Sequence, residues 1–142
     1  MIKGIRHTGI VIDDLEKSLH FYQDLLGLKI IKQMREKSAY IDSVLALKGV
    51  EVTTIKMTAA DGQMIELLKF YSHPQELIEK KICDIGPTHI AFTVDDLDRM
   101  YKELSTKGVL FSGLPCVSPD AYAKVVFCQA PEGTFIELVE VL

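Results

Sequence analysis

His7, Glu66, His89 and Glu137 are the side chains of this sequence whose types and spacing point to chemistry. His7 stands in GIRHTGIVIDDLE (residues 4–16) and His89 in GPTHIAFTVDDLD (residues 86–98), at an offset of 82 that also pairs Gly4 with Gly86 and Asp13-Asp14-Leu15 with Asp95-Asp96-Leu97. Glu66 stands in DGQMIELL (residues 61–68) and Glu137 in EGTFIELV (residues 132–139), at an offset of 71 that also pairs Gly62 with Gly133. The order His, Asp-Asp-Leu, Gly, Glu is kept in both copies, so the chain reads as one unit written twice, the second copy 11 residues shorter in its middle.

Two neutral imidazoles and two carboxylates form a mixed N/O donor set of charge -2, suited to a divalent first-row metal, with room for two waters if the geometry is octahedral. Each Glu lies on a strand face that is otherwise largely apolar: Glu66 with Met64, Leu68 and Phe70, Glu137 with Phe135 and Val139. An ionised carboxylate buried there alone costs several kcal/mol, and a cation removes that cost. Such a cation can bind two neighbouring oxygens of a substrate and stabilise the charge that develops as an enediolate or enolate forms. A Glu loosened from the metal, Glu137 or Glu66, can then take a proton from the adjacent carbon and return it elsewhere.

The elements that must position these residues follow the same grammar in each half. IRHTGIVI and HIAFTV are short, β-branched and alternating, which predicts strands. Asp13 or Asp14, and Asp95 or Asp96, then cap helices whose apolar stripes are Leu15, Leu19, Tyr22 and Leu26, and Leu97, Tyr101 and Leu104. Gly27 and Gly108 stop them. Strands are predicted in LKIIKQM, VEVTTIKM and QMIELLKF, and in VLF, AKVVFCQA and TFIELVEV, with turns at AADGQ and APEGT. The result is an α+β chain in which a βαβββ module is written twice in tandem. Module one is about 1–72, a connector about 73–84 and module two about 85–142. The extra residues fall in REKSAYIDSVLALKG, with a short helix over Tyr40–Leu47, and a helical segment is expected after Pro74. An approximate two-fold axis between modules would bring all four donors together.

Composition sets the outer limits. The 142 residues are 48% hydrophobic and 25% charged, enough for the core of one ordinary domain or two fused halves. A net charge of -4 without a basic run favours no nucleic-acid partner. No apolar stretch approaches the ~20 residues needed to cross a bilayer, and MIKGIRHTGIVIDDLE meets its acidic pair too early for a signal peptide. Cys83, Cys116 and Cys128 are odd in number and lack C-x-x-C spacing, so inert thiols in a reducing cytoplasm are expected. Tyr40, Asp42, Tyr122 and Lys124 are candidates to line a pocket, and Arg6 and Arg35 candidates to reach an anionic group.

HTGIVIDDLEKSLHFYQDLLGL at the start and APEGTFIELVE near the end carry a resemblance that runs along essentially the whole chain. It resembles the vicinal oxygen chelate superfamily, which includes lactoylglutathione lyase (glyoxalase I), methylmalonyl-CoA epimerase, extradiol dioxygenases, fosfomycin-modifying thiol transferases and bleomycin-binding proteins. That resemblance implies two tandem βαβββ modules forming an open, curled mixed sheet around a metal site, with His7, Glu66, His89 and Glu137 on the four ligand positions. It implies a divalent ion (Zn, Ni, Co, Mn or Fe), a small-molecule substrate and a homodimer. Dioxygenases and fosfomycin-modifying members resemble one another in a three-residue His, His, Glu set, epimerases typically carry Gln at the position of Glu66, and bleomycin-binding members lack the site. The full set is therefore most similar to that of the lactoylglutathione lyase-like branch, a metal-dependent lyase or isomerase moving a proton alpha to a carbonyl. A non-haem iron ring-cleaving dioxygenase and a non-catalytic binding or resistance protein are the alternatives.

Overall fold

Strand β1 (Thr8–Ile12) carries the first apolar alternation and lies at one edge of a four-stranded sheet. The computed structural model describes all 142 residues. They form two compact units, Met1–Leu77 and Ile78–Leu142.

In the first unit, β1 is followed by helix α1 (Leu15–Leu19), by β2 (Lys29–Glu36), α2 (Ala39–Leu45), β3 (Val52–Thr58) and β4 (Met64–Phe70). The sheet order is β1-β4-β3-β2, with β1 parallel to β4 and the other pairs antiparallel. Of the two possible caps it is Asp14 that accepts a hydrogen bond from the Lys17 amide, at 3.0 Å. After Leu19 the helix widens into a π-helical turn, His20–Leu25, and ends at Gly27 with a left-handed φ of 78°. The wider turn rotates the buried stripe: Ser18, Phe21 and Tyr22 are buried, whereas Leu15, Leu19 and Leu26 of the expected stripe are only half-buried.

The two faces of this sheet differ. Ile10, Ile12, Ile55, Met57, Ile65 and Leu67 lie on one face and are buried. On the other, α2 covers one end, where Ile41, Val50 and Val52 form a buried cluster with Leu45, Leu68 and Phe70 against it. The loop after α2 is tied back by Asp42, which accepts from the amides of Gly49 (2.9 Å) and Val50 (2.8 Å). Those amides hold its carboxyl below the usual value.

The second unit repeats the plan with β5 (His89–Thr93), α3 (Leu97–Thr106), β6 (Cys116–Val117), β7 (Ala123–Gln129) and β8 (Phe135–Val141), in the order β5-β8-β7-β6. Helix α3 packs on β8. Leu97, Leu104, Val126, Cys128, Ile136 and Leu138 make up the buried interior, and burial pushes the Cys128 thiol up to about 11. Cys83 and Cys116 are exposed free thiols. The start of α3 is secured twice: Asp96 accepts from the Arg99 amide at 2.9 Å, and Glu140 of β8 accepts from the Leu97 amide at 2.9 Å.

Two expectations are corrected. VLF (109–111) forms no strand beyond a single bridge from Phe111 to Cys128, and the edge strand is instead the two-residue β6. No helix forms after Pro74, where Gln75–Lys81 is irregular. Its apolar residues Leu77 and Ile78 are exposed and find no face to bury, so helical propensity alone does not carry it.

Because Asp96 caps α3 and Asp95 does not, Asp96→Ala should lower stability by about 1 kcal/mol in denaturant unfolding, with Asp95→Ala within about 0.5 kcal/mol of native.

Candidate metal centre

The first and last strands of each unit pair in parallel, and the register decides which side chains meet. In the first unit Gly9 is the partner of Glu66, and in the second Ala91 is the partner of Glu137. Each His lies two residues before that small partner, on the same face, and is the diagonal neighbour of the Glu. His7 immediately precedes β1 rather than lying within it, and His89 is the first residue of β5. A Gly or Ala opposite each Glu leaves its side chain free to lean toward the imidazole.

The contacts follow from that register. His7 Nε2 is 2.9 Å from Glu66 Oε2, with the glutamate side chain only 14% exposed. His89 Nε2 is 3.5 Å from Glu137 Oε2. Two ligands about 2.1 Å from one ion stand about 3.0 Å apart at a right angle and about 3.4 Å apart at the tetrahedral angle. Each pair is therefore spaced as two adjacent ligands of one divalent metal would be. The His89 ring is also oriented from behind: its Nδ1 lies 3.1 Å from the Thr88 hydroxyl, which leaves Nε2 facing the carboxylate. The Nδ1 of His7 is buried and has no hydrogen-bond partner. The donors fit a divalent cation in type and spacing. Within each unit the pair stands alone, since no group of three or more His, Cys, Asp or Glu side chains is gathered there.

The other sequence candidates lie elsewhere. Lys124 pairs with Asp98 at 2.7 Å and Glu140 at 3.9 Å, opposite Glu140 on the face covered by α3, and serves the helix. Arg35 stacks on the Tyr71 ring at 4.1 Å, on the sheet face away from Glu66. Asp42 is engaged by its loop amides, and Tyr40, Tyr122 and Arg6 are exposed. What the sequence reading missed is the pair of residues flanking the glutamates from the other side, Lys56 opposite Glu66 and Phe127 opposite Glu137. Their own offset of 71 marks them as counterparts.

The family model described as "Glyoxalase/Bleomycin resistance protein/Dioxygenase superfamily" matches residues 4–138. The chain belongs to that superfamily. Among its relatives, the lactoylglutathione lyase of Schizosaccharomyces pombe is 31% identical over 145 residues, covering 95% of this chain and 46% of that enzyme. The chain thus spans about half the length of that relative. The metallothiol transferase FosB of Staphylococcus haemolyticus is 30% identical over 69% of this chain and 54% of its own length. A solved structure of a glyoxalase family protein from Bacillus cereus superposes with a TM-score of 0.91 at 23% identity, over 100% of this chain and 96% of the other. At that identity the likeness shows the fold, which is that of the vicinal oxygen chelate proteins. No helix is long and apolar enough to cross a membrane.

If Thr88 orients a metal-binding His89, Thr88→Val should weaken zinc affinity about 10–100-fold in a competition titration with a chromophoric chelator. Its unfolding midpoint should stay near native, because the hydrogen bond is exposed.

Proposed function

We propose that the chain is a divalent-metal-dependent lyase or isomerase of the glyoxalase I type, with His7, Glu66, His89 and Glu137 holding one ion. The observation that carries this reading is the second His–Glu pair. Glu66 is set against His7 by the same diagonal register that sets Glu137 against His89, which supports Glu66 as a ligand in place of a solvated strand residue. The two pairs then supply four donors together, from one chain or from two copies. Free edges at β1 and β5 support a homodimer in which modules of two chains pair, and three free cysteines suit a reducing cytoplasm.

A bound divalent ion would hold two neighbouring substrate oxygens and offset the negative charge that develops on them. The protein's part is proton transfer. Glu137 or Glu66 takes the proton from the carbon alpha to the carbonyl and returns it one carbon away, as a hemithioacetal becomes a 2-hydroxyacyl thioester, or on the other face of the same carbon, as in an epimerisation. Each carboxylate has its imidazole on one side and a cross-strand neighbour on the other, which fixes its direction along the sheet face. Lactoylglutathione lyase among the relatives supports the first reaction. A relative named metallothiol transferase keeps a three-ligand reading in view, and the engaged geometry of Glu66 weighs against it.

Elemental analysis of the purified protein should find about one transition metal per site, with uptake weakened in both Glu66→Gln and Glu137→Gln, and hemithioacetal isomerisation reduced at least about 100-fold in each. Normal metal uptake by Glu66→Gln alone would replace this reading with a three-ligand oxygenase or transferase. Absence of uptake from zinc, nickel, cobalt or iron by the native chain would replace it with a ligand-binding module.

A further inference from the structure

The row of side chains that contains Glu66 runs Gly9, Glu66, Lys56, Lys32 across the four strands of the first sheet. Directly opposed residues of an antiparallel pair share a face, with Cβ atoms about 5 Å apart, so Lys56 rises beside Glu66 on the face that carries His7. It is half-buried in a strand whose residues Val52, Thr53, Thr54, Ile55 and Met57 are all buried. Glu66 turns to His7 at 2.9 Å, and the Lys56 ammonium makes no ion pair or hydrogen bond.

Lys56 thus brings a cation to the face of the His7–Glu66 pair with no hydrogen-bond acceptor of its own. The counterpart in the second unit is Phe127, packed edge-on against His89 with ring centroids 5.4 Å apart. The same strand position thus takes an aromatic ring in one module and a cation in the other. Lys32 lies one strand further out and is exposed, so it is solvated already.

Resting on the reading above, we infer that Lys56 is a specificity-determining residue that binds an anionic group, of the carboxylate class, carried by the substrate close to the oxygen pair held at the metal. The ammonium supplies the charge-assisted hydrogen bond such a group needs, and the anion supplies the acceptor that Lys56 lacks. Substrates of this site are then acids: the 2-oxo or 2-hydroxy unit that meets the metal has a carboxylate a few bonds away.

The test uses the full chain loaded with cobalt(II), whose visible spectrum reports ligation directly. Two chelators with the same oxygen pair are titrated: acetohydroxamate, which has no further charge, and malonomonohydroxamate, which adds a carboxylate. The native protein should prefer the carboxylated probe by about 10-fold or more. Lys56→Met should abolish that preference while leaving cobalt uptake and acetohydroxamate affinity within about 2-fold of native, and Lys56→Arg should keep part of it. Lys32→Met should retain most of the preference. Equal affinity of the native protein for both probes, a preference that survives Lys56→Met, or an equal loss in Lys32→Met would overturn the assignment while leaving the metal centre standing. A native protein that takes up no cobalt would overturn the metal centre first and this assignment with it.

Discussion

Everything at the candidate centre depends on a parallel pairing between the first and last strands of each unit. A hairpin could not make it, because parallel neighbours need a crossover, and here the crossover is the rest of the module. The pairing brings together a histidine and a glutamate that are remote in sequence, His7 with Glu66 and His89 with Glu137. Since the side-chain period of a strand is two, a one-residue slip would send His and Glu to opposite faces and dissolve the pair. Register is therefore the quantity the fold must protect, and the buried face protects it. Ile10 and Ile12 beside Ile65 and Leu67, and Ile136 and Leu138 of β8, would all turn to the polar side in a slipped pairing.

The two faces of the sheet divide the work. One face holds apolar side chains buried almost completely, and this supplies cohesion at roughly 25 cal/mol for each Å² removed from water. The other holds His, Glu and their cross-strand neighbours, and tolerates polar groups because they have partners or stand partly open. Helix α2 lies on this second face at the end away from His7, where Val52, Leu68 and Phe70 meet Ile41 and Leu45. The extra residues of the first module thus cover the far end of this face without adding a strand to the sheet.

How much of this was legible in the sequence depends on which signals are local. The internal repeat, both helix caps, the Gly27 and Gly108 stops and the α2 segment are written in short stretches whose physics is self-contained, and they appear in the structure nearly where the pattern puts them. The stripe of α1 was misplaced because a π-helical turn changes the period after Leu19, and nothing in LEKSLHFYQDLL announces the change. VLF reads as a strand by composition but finds only a single bridge to β7, so its propensity goes unused. The donor pairs were legible because the repeat itself aligned them. Their flanking residues were not, since Lys56 and Phe127 become neighbours of Glu66 and Glu137 only through antiparallel register, which a sequence does not display.

Those flanking residues also distinguish the two copies of the module. The copies have diverged at the positions where divergence leaves the pairs themselves untouched. Lys56 sets a half-buried cation beside Glu66, while Phe127 sets an aromatic edge beside Glu137 and its histidine. The two glutamates therefore have unlike neighbours despite equal register. The two modules thus differ at this one strand position while the His–Glu register stays the same in both.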